Sequence, residues 1–402
     1  MRGNEMGPSV VAWEATRACN LVCRHCRAEA VPTCDPAELT TAEARRLLED
    51  VASFCRPTFI ITGGEPLLRP DVLELARYGT SLGLRVVMST NGTTLTADTV
   101  RAIREAGIVA ISVSIDGPDA ASHDAFRGVP GAFAASLEGM RLAREAGLPF
   151  QVNTTVTRHN VDALPRLLEL ARQVGALTWD VFLLVPTGRA SAEDEIPPAR
   201  YEQVLAWLLE QSTMGAAGEA PAAGMPAGHG TAPAAVPASR EGMRIKVTCG
   251  PMYARLWIQR GGQGRRPQGC MAGDGFAFIS RTGKVYPCGY FPREAGDIRE
   301  RPFSAIYRES PLFLELRDPG LLRGKCGRCE FRRACRGCRA RALGTTGDYL
   351  AEEPYCTYQP PLRERSARVA PGAGCGAAPP GGGARAAVAG GSPLAADGGL
   401  ER

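Results

Sequence analysis

Histidine is scarce in this sequence, with only four among 402 residues. A histidine-rich metal centre or proton relay is therefore a poor explanation of its chemistry. No apolar run approaches the ~20 residues of a membrane-spanning helix, and the N-terminal stretch lacks the apolar segment of a secretory signal. The net charge of +5 is modest and the arginines are spread along the chain, so no nucleic-acid surface is indicated. These absences predict a cytoplasmic protein without a membrane span or a nucleic-acid partner.

Cysteine, by contrast, is abundant, with 14 residues, and in a reducing compartment such a number indicates metal binding rather than disulfides. Three cysteines, Cys19, Cys23 and Cys26, form a CxxxCxxC loop directly after a β-rich stretch at 9–16. Three thiolates bind three irons of a [4Fe–4S] cluster, which normally has four cysteine ligands, and so leave one iron open. An open iron is what an enzyme needs to bind and reduce S-adenosylmethionine. A structural zinc loop is the alternative, but zinc sites usually pair a CxxC with a second such pair.

Residues 9–212 alternate between strand and helix patterns. Amphipathic spacing, with threonine and acidic residues at the start, indicates helices between short runs rich in Val, Ile, Phe and Thr. Polar residues and glycine follow every strand, as at the active-site face of a barrel, whereas a doubly wound sheet would concentrate them at one switch point. The pattern predicts an α/β fold, an open partial (β/α)6 TIM barrel. The predicted strands are 9–16, 58–63, 84–90, 108–115, 150–156 and 179–185, and the predicted helices are 41–51, 70–82, 96–106, 132–147, 161–174 and 198–212.

Composition changes twice after this barrel. Residues 213–242 are rich in Ala, Gly and Pro, which predicts a flexible insertion, and residues 361–402 have a similar composition and predict a disordered tail. Between them, residues 243–360 form a second predicted module, in which Gly283 marks a strand–turn–strand pattern. This module holds eight cysteines, enough for two clusters with four cysteine ligands each, and two zinc sites are the alternative. We predict one set comprising Cys249, Cys270, Cys288 and Cys338, and a second comprising Cys326, Cys329, Cys335 and Cys356.

The cysteine loop, the Gly63-Gly64-Glu65-Pro66 turn, the Ser89-Thr90-Asn91-Gly92 turn and the C-terminal cysteines together resemble radical SAM enzymes that carry a SPASM-type iron–sulfur domain. The resemblance covers residues 9–360. Within that family, five stretches resemble the heme b synthases of the siroheme-dependent heme pathway: 11–14, 25–30, 114–128, 182–189 and 338–342. One departure is the CxxC spacing of Cys335 and Cys338, since SPASM peptide enzymes usually have CxxxC. This leaves open whether one or two auxiliary [4Fe–4S] clusters are present.

The resemblance implies oxidative decarboxylation of two propionates of Fe-coproporphyrin III to vinyl groups, which gives heme b. It implies that a 5′-deoxyadenosyl radical removes a hydrogen atom from each propionate β-carbon, and that an auxiliary cluster accepts the electron released with CO2. Related tetrapyrrole chemistry, namely deacetylation of a siroheme derivative or a heme d1 step, is an alternative. A SPASM peptide maturase is another, but it would have a peptide-binding module before residue 9. A non-enzymatic iron–sulfur scaffold would not need the Gly-Gly-Glu-Pro turn.

The same resemblance implies the roles of individual residues. Polar residues at the strand ends are expected at the S-adenosylmethionine site. Among them, Ser114, Asp116 and Asn153 are candidates for contact with its ribose, and capping of the strand ends is their alternative role. His25 lies between two cluster ligands and either contacts substrate, tunes the cluster or is an exposed loop residue. A low-potential electron donor such as ferredoxin or flavodoxin is the implied protein partner. Expected at the S-adenosylmethionine site are Gly63, Gly64, Glu65, Ser89, Asn91, Ser114, Asp116 and Asn153, and expected to bind porphyrin carboxylates are Arg27, Arg127 and Arg189, with Arg24 and Arg158 as further candidates.

Overall fold

One ten-stranded sheet runs through the part of the chain that this computed structural model describes, residues 7–216 and 242–361. The predicted insertion at 213–242 and the predicted tail at 361–402 lie almost entirely outside these residues. The strands, in chain order, are β1 (Val10–Glu14), β2 (Thr58–Thr62), β3 (Arg85–Thr90), β4 (Ile111–Ser114), β5 (Phe150–Val156), β6 (Thr178–Leu183), β7 (Arg244–Thr248), β8 (Phe276–Ile279), β9 (Lys284–Tyr286) and β10 (Gly296–Asp297).

The first six strands are parallel and neighbour one another in chain order, from β1 to β6. All six were predicted from the sequence, and the order confirms the open partial barrel. Parallel strands that are connected in this way put all their C-terminal ends at one edge of the sheet. The cysteine loop after β1 and the polar turns after β2 to β6 therefore meet at that edge.

Helices follow the strands and cover the outside of the sheet. The six predicted helices are all present, and the unpredicted α4 lies in the loop after β4. No helix among the described residues is both long and apolar enough to cross a membrane. The helices are α1 (Thr41–Phe54), α2 (Val72–Ser81), α3 (Ala97–Glu105), α4 (Ala120–Arg127), α5 (Ala132–Glu145), α6 (Leu164–Gln173), α7 (Pro198–Ala216), α8 (Met252–Gln259), α9 (Phe303–Glu309), α10 (Pro311–Arg317), α11 (Gly324–Arg328) and α12 (Arg339–Thr346).

Helix α1 shows how local sequence sets these elements. The Thr40 side chain accepts a hydrogen bond from the Glu43 N–H, and the Glu43 carboxylate accepts one from the Thr40 N–H, so a capping box begins the helix. Leu47, Leu48 and Val51 lie on one face of the helix and are buried in the main core. This burial provides most of the stability of such a helix, because isolated helices of this length are marginal in water.

The C-terminal segment continues the same sheet at both of its edges. Strand β7 pairs in parallel with β6, and β8 pairs in parallel with β1. Strand β9 returns antiparallel to β8 through the predicted turn, where Gly283 has φ 89°, a conformation that favours glycine. The division of the chain at residues 212 and 243 remains a prediction, since most of the residues between them lie outside the described part.

Candidate active site

The cysteine loop follows β1 and is held by backbone hydrogen bonds at several points. The Cys19 N–H donates to the Val31 carbonyl at 2.8 Å, and the N–H of Val22 donates to the carbonyl of Arg127 at 3.1 Å. Cys19 and Cys23 are buried, while Cys26 is partly exposed, and all three are free thiols. The end of α4, which was not predicted as a helix from the sequence, thus holds the part of the loop on either side of Cys23.

Each of these thiols accepts an N–H hydrogen bond. The donors are the Leu21 N–H to Cys19 at 3.4 Å, the Ala30 N–H to Cys26 at 3.4 Å, and the Arg127 guanidinium to Cys23 at 3.6 Å. Hydrogen bonds to sulfur stabilise and tune metal-bound thiolates. Burial raises the pKa of Cys19 to about 11, so a bound metal must supply the compensation for its thiolate. The donor set therefore fits an iron–sulfur cluster.

Asp116, just after β4, forms a buried ion pair with Arg127. Its carboxylate also accepts the Thr155 N–H at 2.6 Å, and it lies 3.7 Å from Nε2 of His25. The cationic Arg127 keeps the pKa of Asp116 low even though burial opposes ionisation most strongly. A guanidinium that contacts both Asp116 and Cys23 couples the turn after β4 to the cysteine loop. The Asp116 carboxylate therefore already forms an ion pair, and its contact with the ribose of S-adenosylmethionine remains a prediction.

Three buried polar atoms beside the cysteine loop have no hydrogen-bond partner within the described residues. They are His25 Nδ1, Arg127 Nε and Arg189 Nη2. The rest of Arg189 is occupied, since Nε donates to the Cys23 carbonyl and Nη1 to the Ala30 carbonyl, both at 2.9 Å. Buried polar atoms nearly always have partners in native proteins. Their concentration here fits a polar or anionic group bound against the loop.

His25 is not an exposed loop residue. Its ring stacks on Phe126 with the centroids 4.6 Å apart, and its side chain is only 15% exposed. Burial lowers the pKa of His25 to about 4, so the ring is neutral near pH 7.

The Gly-Gly-Glu-Pro turn packs directly on the chain that enters the cysteine loop. The Gly64 N–H donates to the Thr16 carbonyl at 2.8 Å, and the Glu65 N–H donates to the Ala18 carbonyl at 2.7 Å. A Cβ at Gly64 would lie 2.2 Å from the Ala18 oxygen, which no side chain tolerates. The close approach that requires this glycine is thus to the protein backbone, and contact with S-adenosylmethionine remains a prediction.

Glu65 is completely buried and joins this turn to the one after β3. Its carboxylate accepts hydrogen bonds from the Thr90 hydroxyl at 2.9 Å and from the Asn91 N–H at 2.8 Å. Burial raises the pKa of Glu65 to about 7. Asn91 in turn donates to Asn20 at 2.8 Å and lies 3.8 Å from the Cys19 sulfur. The turn after β3 therefore meets the cysteine loop, as a site at this sheet edge requires.

The remaining candidates at the S-adenosylmethionine site divide into two places. Ser114 and Asn153 are neighbours across β4 and β5, and both lie close in sequence or register to Asp116. Asn153 accepts a hydrogen bond from Gln151 at 2.8 Å. Ser89 lies on β3, where its hydroxyl is 2.6 Å from that of Ser112. The structure thus brings Ser114, Asn153 and Asp116 together and places Ser89 one strand away.

The other arginines that were predicted to bind porphyrin carboxylates differ in the partners that their side chains already have. Arg27 pairs with Glu14 at 2.7 Å and lies over the Phe278 ring at 4.5 Å. Glu14 also pairs with Arg281 at 3.1 Å, so these contacts join the cysteine loop to β8. Arg24 is exposed, and Arg158 donates to the Glu193 carbonyl at 2.7 Å.

The structure brings the first predicted set of C-terminal cysteines together. Each of Cys270, Cys288 and Cys338 raises the pKa of Cys249, although burial is the larger cause. Burial likewise raises the pKa of Cys338 to about 12. The Cys288 thiol accepts the N–H groups of Tyr290 and Phe291, which lower its pKa against the effect of burial. These thiols are therefore close together, with Cys338 buried and the other three partly exposed.

The second predicted set lines one cavity. Cys326, Cys329, Cys335 and Cys356 all face it, and only Cys335 is fully buried. Among the described residues, no three His, Cys, Asp or Glu side chains are placed to share a single metal ion.

A buried polar cluster between the two sets was missed by the sequence analysis. Arg341 stacks between Tyr201 and Tyr355, with centroid distances of 5.0 and 5.1 Å, and pairs with Glu195 at 3.1 Å. The Tyr201 hydroxyl donates to the Cys249 carbonyl at 2.6 Å. The stretch 338–342 contributes to the resemblance alone, and nothing in its pattern shows that both of its arginines are buried.

Comparison with known proteins places this site in a family. The family model of the radical SAM superfamily matches residues 13–171, and the SPASM model, an iron–sulfur cluster-binding domain, matches residues 270–339. An AdoMet-dependent heme synthase of Methanosarcina barkeri is 45% identical over 365 residues, which cover 88% of this chain and 97% of that protein. Another, from Nitratidesulfovibrio vulgaris, is 43% identical over 365 residues, with coverage of 87% and 92%.

The solved structure of SuiB from Streptococcus suis superposes with a TM-score of 0.66, covering 88% of this chain and 78% of that one. At 16% identity this likeness shows the fold alone. Identity above 40% over nearly the whole length of the two heme synthases shows that the chain belongs to the same family as they do. Its cofactors are S-adenosylmethionine, a radical SAM [4Fe–4S] cluster and one or more auxiliary iron–sulfur clusters of the SPASM domain. The chain belongs to the radical SAM enzymes that carry a SPASM iron–sulfur domain.

Proposed function

We propose that this chain is an AdoMet-dependent heme synthase, which converts Fe-coproporphyrin III to heme b by oxidative decarboxylation of two propionates to vinyl groups. The observation that carries the proposal is its 43–45% identity to proteins of that name over 92–97% of their length. The buried donors beside the cysteine loop support it, because a substrate with several carboxylates needs such donors.

In this proposal Cys19, Cys23 and Cys26 bind the first cluster. When bound, this cluster and S-adenosylmethionine supply the radical that removes a hydrogen atom from the propionate. The protein orients and encloses the reacting groups. The residues that we assign to S-adenosylmethionine are those at the sheet edge, Gly63, Gly64, Glu65, Ser89, Asn91, Ser114, Asp116 and Asn153.

Arg189 is the best placed of the proposed carboxylate ligands. Two of its nitrogens hold the cysteine loop, and Nη2 is buried and free to bind an anion within the described part of the chain. Arg127 has a similar free Nε, while its other nitrogens contact Asp116 and Cys23. Arg27 is already paired with Glu14, so it would bind substrate only by sharing its guanidinium.

In this proposal the two C-terminal cysteine sets would hold auxiliary clusters, which would supply the acceptor for the electron released when CO2 is lost. No acid–base pair is needed for this step, which agrees with the scarcity of histidine. We place the enzyme in the cytoplasm, with ferredoxin or flavodoxin as its electron donor, and we keep residues 9–212 and 243–360 as its two modules.

The test is anaerobic turnover of the reconstituted protein with Fe-coproporphyrin III, S-adenosylmethionine and dithionite, followed by mass analysis of the porphyrin. We expect heme b, with two molecules of 5′-deoxyadenosine for each heme. The matched control is Cys26→Ala, which should give neither product. If S-adenosylmethionine is cleaved but the porphyrin is unchanged, the enzyme acts on another substrate, and siroheme-derived tetrapyrroles and precursor peptides are the next to be assayed.

A further inference from the structure

Residues 323–341 are a strongly basic stretch of the C-terminal segment. This stretch contains eight Lys and Arg but one acidic residue, Glu330, although the whole chain has a net charge of only +5. Two of the eight are buried in the protein interior. Arg341 is buried in the polar cluster described above, and the buried Arg339 donates to the carbonyls of Tyr349 and Ala351 at 2.7 Å. The other six lie at or near the surface.

Four of these six have little or no compensating negative charge. Arg328 and Arg333 are exposed and form no ion pair within the described residues. Arg332 donates to the Gly327 carbonyl at 3.1 Å, and Lys325 donates to the Cys356 carbonyl at 2.6 Å and lies 3.9 Å from Glu352. We call these four residues, Lys325, Arg328, Arg332 and Arg333, the basic rim.

Two remaining surface arginines are neutralised, which sets the limits of the basic rim. Arg323 pairs with Asp348 at 2.7 Å, and Arg336 pairs with Asp274. Glu330, the acidic residue of the stretch, contacts the hydroxyl of Tyr358. Within the described residues, the positive charge of this stretch that no ion pair balances therefore lies on Arg328, Arg332 and Arg333, while Glu352 partly balances Lys325.

Two residues of the basic rim lie against the second cysteine set. Lys325 and Arg332 line the same cavity as Cys326, Cys329, Cys335 and Cys356, and Arg328 lies between the first two of these in sequence. Three of the four thiols are partly exposed. A redox group at this position would be near the protein surface, where a second protein can approach it.

We propose that the basic rim is the docking surface of an acidic one-electron carrier protein. A patch of one charge sign speeds encounters with an oppositely charged partner and adds less to final affinity. A carrier that exchanges electrons and then dissociates needs such an interaction. The proposal rests on the proposed function for the source of the electron: one electron passes from the reduced auxiliary cluster to the oxidised carrier, and no proton or bond is transferred.

The experiment mixes the full-length, photoreduced enzyme with oxidised flavodoxin, an acidic carrier, in a stopped-flow spectrometer and follows flavin reduction. In the variant Arg328→Glu/Arg333→Glu we expect the second-order rate to fall ~10-fold or more at low ionic strength. The difference should shrink toward zero near 1 M salt, where charges are screened within ~3 Å. Arg328→Lys/Arg333→Lys keeps the charge and should keep the rate, and Arg104→Glu on α3 is the control for charge reversal at another exposed site.

The same preparations are assayed for iron content and for turnover driven by dithionite, which needs no docking surface. We expect both to match the wild type in the Arg328→Glu/Arg333→Glu variant. An unchanged flavodoxin rate at low salt would overturn the proposal, as would an equal loss in Arg104→Glu or a parallel loss of iron. Failure of the wild type to produce heme would instead reject the proposed function, while the effect of the basic rim on the flavodoxin rate would still be measurable.

Discussion

Arg341 and Glu353 form an ion pair in which both side chains are buried, with Nη1 of the arginine 3.5 Å from Oε1 of the glutamate. The other carboxylate oxygen of Glu353 accepts the N–H of Cys338, which belongs to the first auxiliary set. The Glu353 N–H donates to the sulfur of Cys326, which belongs to the second set, at 3.3 Å. The ion pair thus joins the two cysteine sets to each other and, through Leu184, to the end of β6.

Arg341→Met should lower the free energy of unfolding by about 3–5 kcal/mol, because it leaves the Glu353 carboxylate buried without its partner. The loss is measured by denaturant unfolding of the anaerobic protein. Arg341→Met/Glu353→Gln should recover part of it, since Glu195 is then the one carboxylate of this cluster that has lost its pairing with Arg341. A single variant as stable as the wild type would show that the pair does not hold this region together.

Loss of one cysteine from the loop should abolish cleavage of S-adenosylmethionine. In Cys19→Ala, Cys23→Ala or Cys26→Ala the loop retains too few thiolates for the first cluster. Iron analysis should show a loss of about four irons per chain, with the iron of the C-terminal sets retained. Normal 5′-deoxyadenosine formation by any of these variants would reject the assignment of the loop.

Loss of an auxiliary cysteine should separate two activities. In soluble Cys288→Ala or Cys329→Ala protein, S-adenosylmethionine cleavage should persist because it needs only the first cluster. Heme formation should fall, because the electron released with CO2 lacks its acceptor. The measurement is the ratio of heme to 5′-deoxyadenosine in variants with correct iron content of the first site. An unchanged ratio would leave these cysteines a structural role only, as metal binding in small domains stabilises the fold.

Glu43→Gln should destabilise the protein by about 1 kcal/mol, since it weakens the capping box of α1 and the contact with Arg299 at 2.8 Å. Hydrogen bonds from Arg299 and the Thr40 backbone lower the pKa of Glu43 to about 2, from an ordinary 4.5. Its contribution is therefore complete above pH 4.5 and is lost only as pH falls through about 2. The difference in melting temperature from wild type should be constant between about pH 6 and pH 8, and a difference that changes within that interval would contradict this.

The fold was accessible from the sequence because its signals are local. The six strands of the barrel have short apolar runs, and Thr40 and Glu43 mark the start of α1 directly. Helix α4 was missed because it has only eight residues, half of them polar, and because its position depends on contacts with the cysteine loop. Its last residue, Arg127, was predicted to bind substrate, yet its buried pairing with Asp116 joins elements that only the folded chain brings together.

Spacing alone separates the cysteine loop at 19–26 from the cysteines at 326–338, and the division of the C-terminal cysteines into two sets of cluster ligands remains a prediction. The partners of the charged residues were not accessible from the sequence. Glu14 lies at the end of β1, and its pairing with Arg281 depends on β8 lying beside β1, which the sequence does not indicate. For the same reason the sequence could not show that Arg341 is buried while Arg333, in the same basic stretch, is exposed.

The most direct test of the central claim uses Fe-coproporphyrin III that carries deuterium at the propionate β-carbons. If this enzyme removes a hydrogen atom from each of two propionates, deuterium should appear in the 5′-deoxyadenosine, with one deuterium in each molecule and two such molecules for each heme b. Recovery of unlabelled 5′-deoxyadenosine together with labelled, unreacted porphyrin would contradict the proposed reaction.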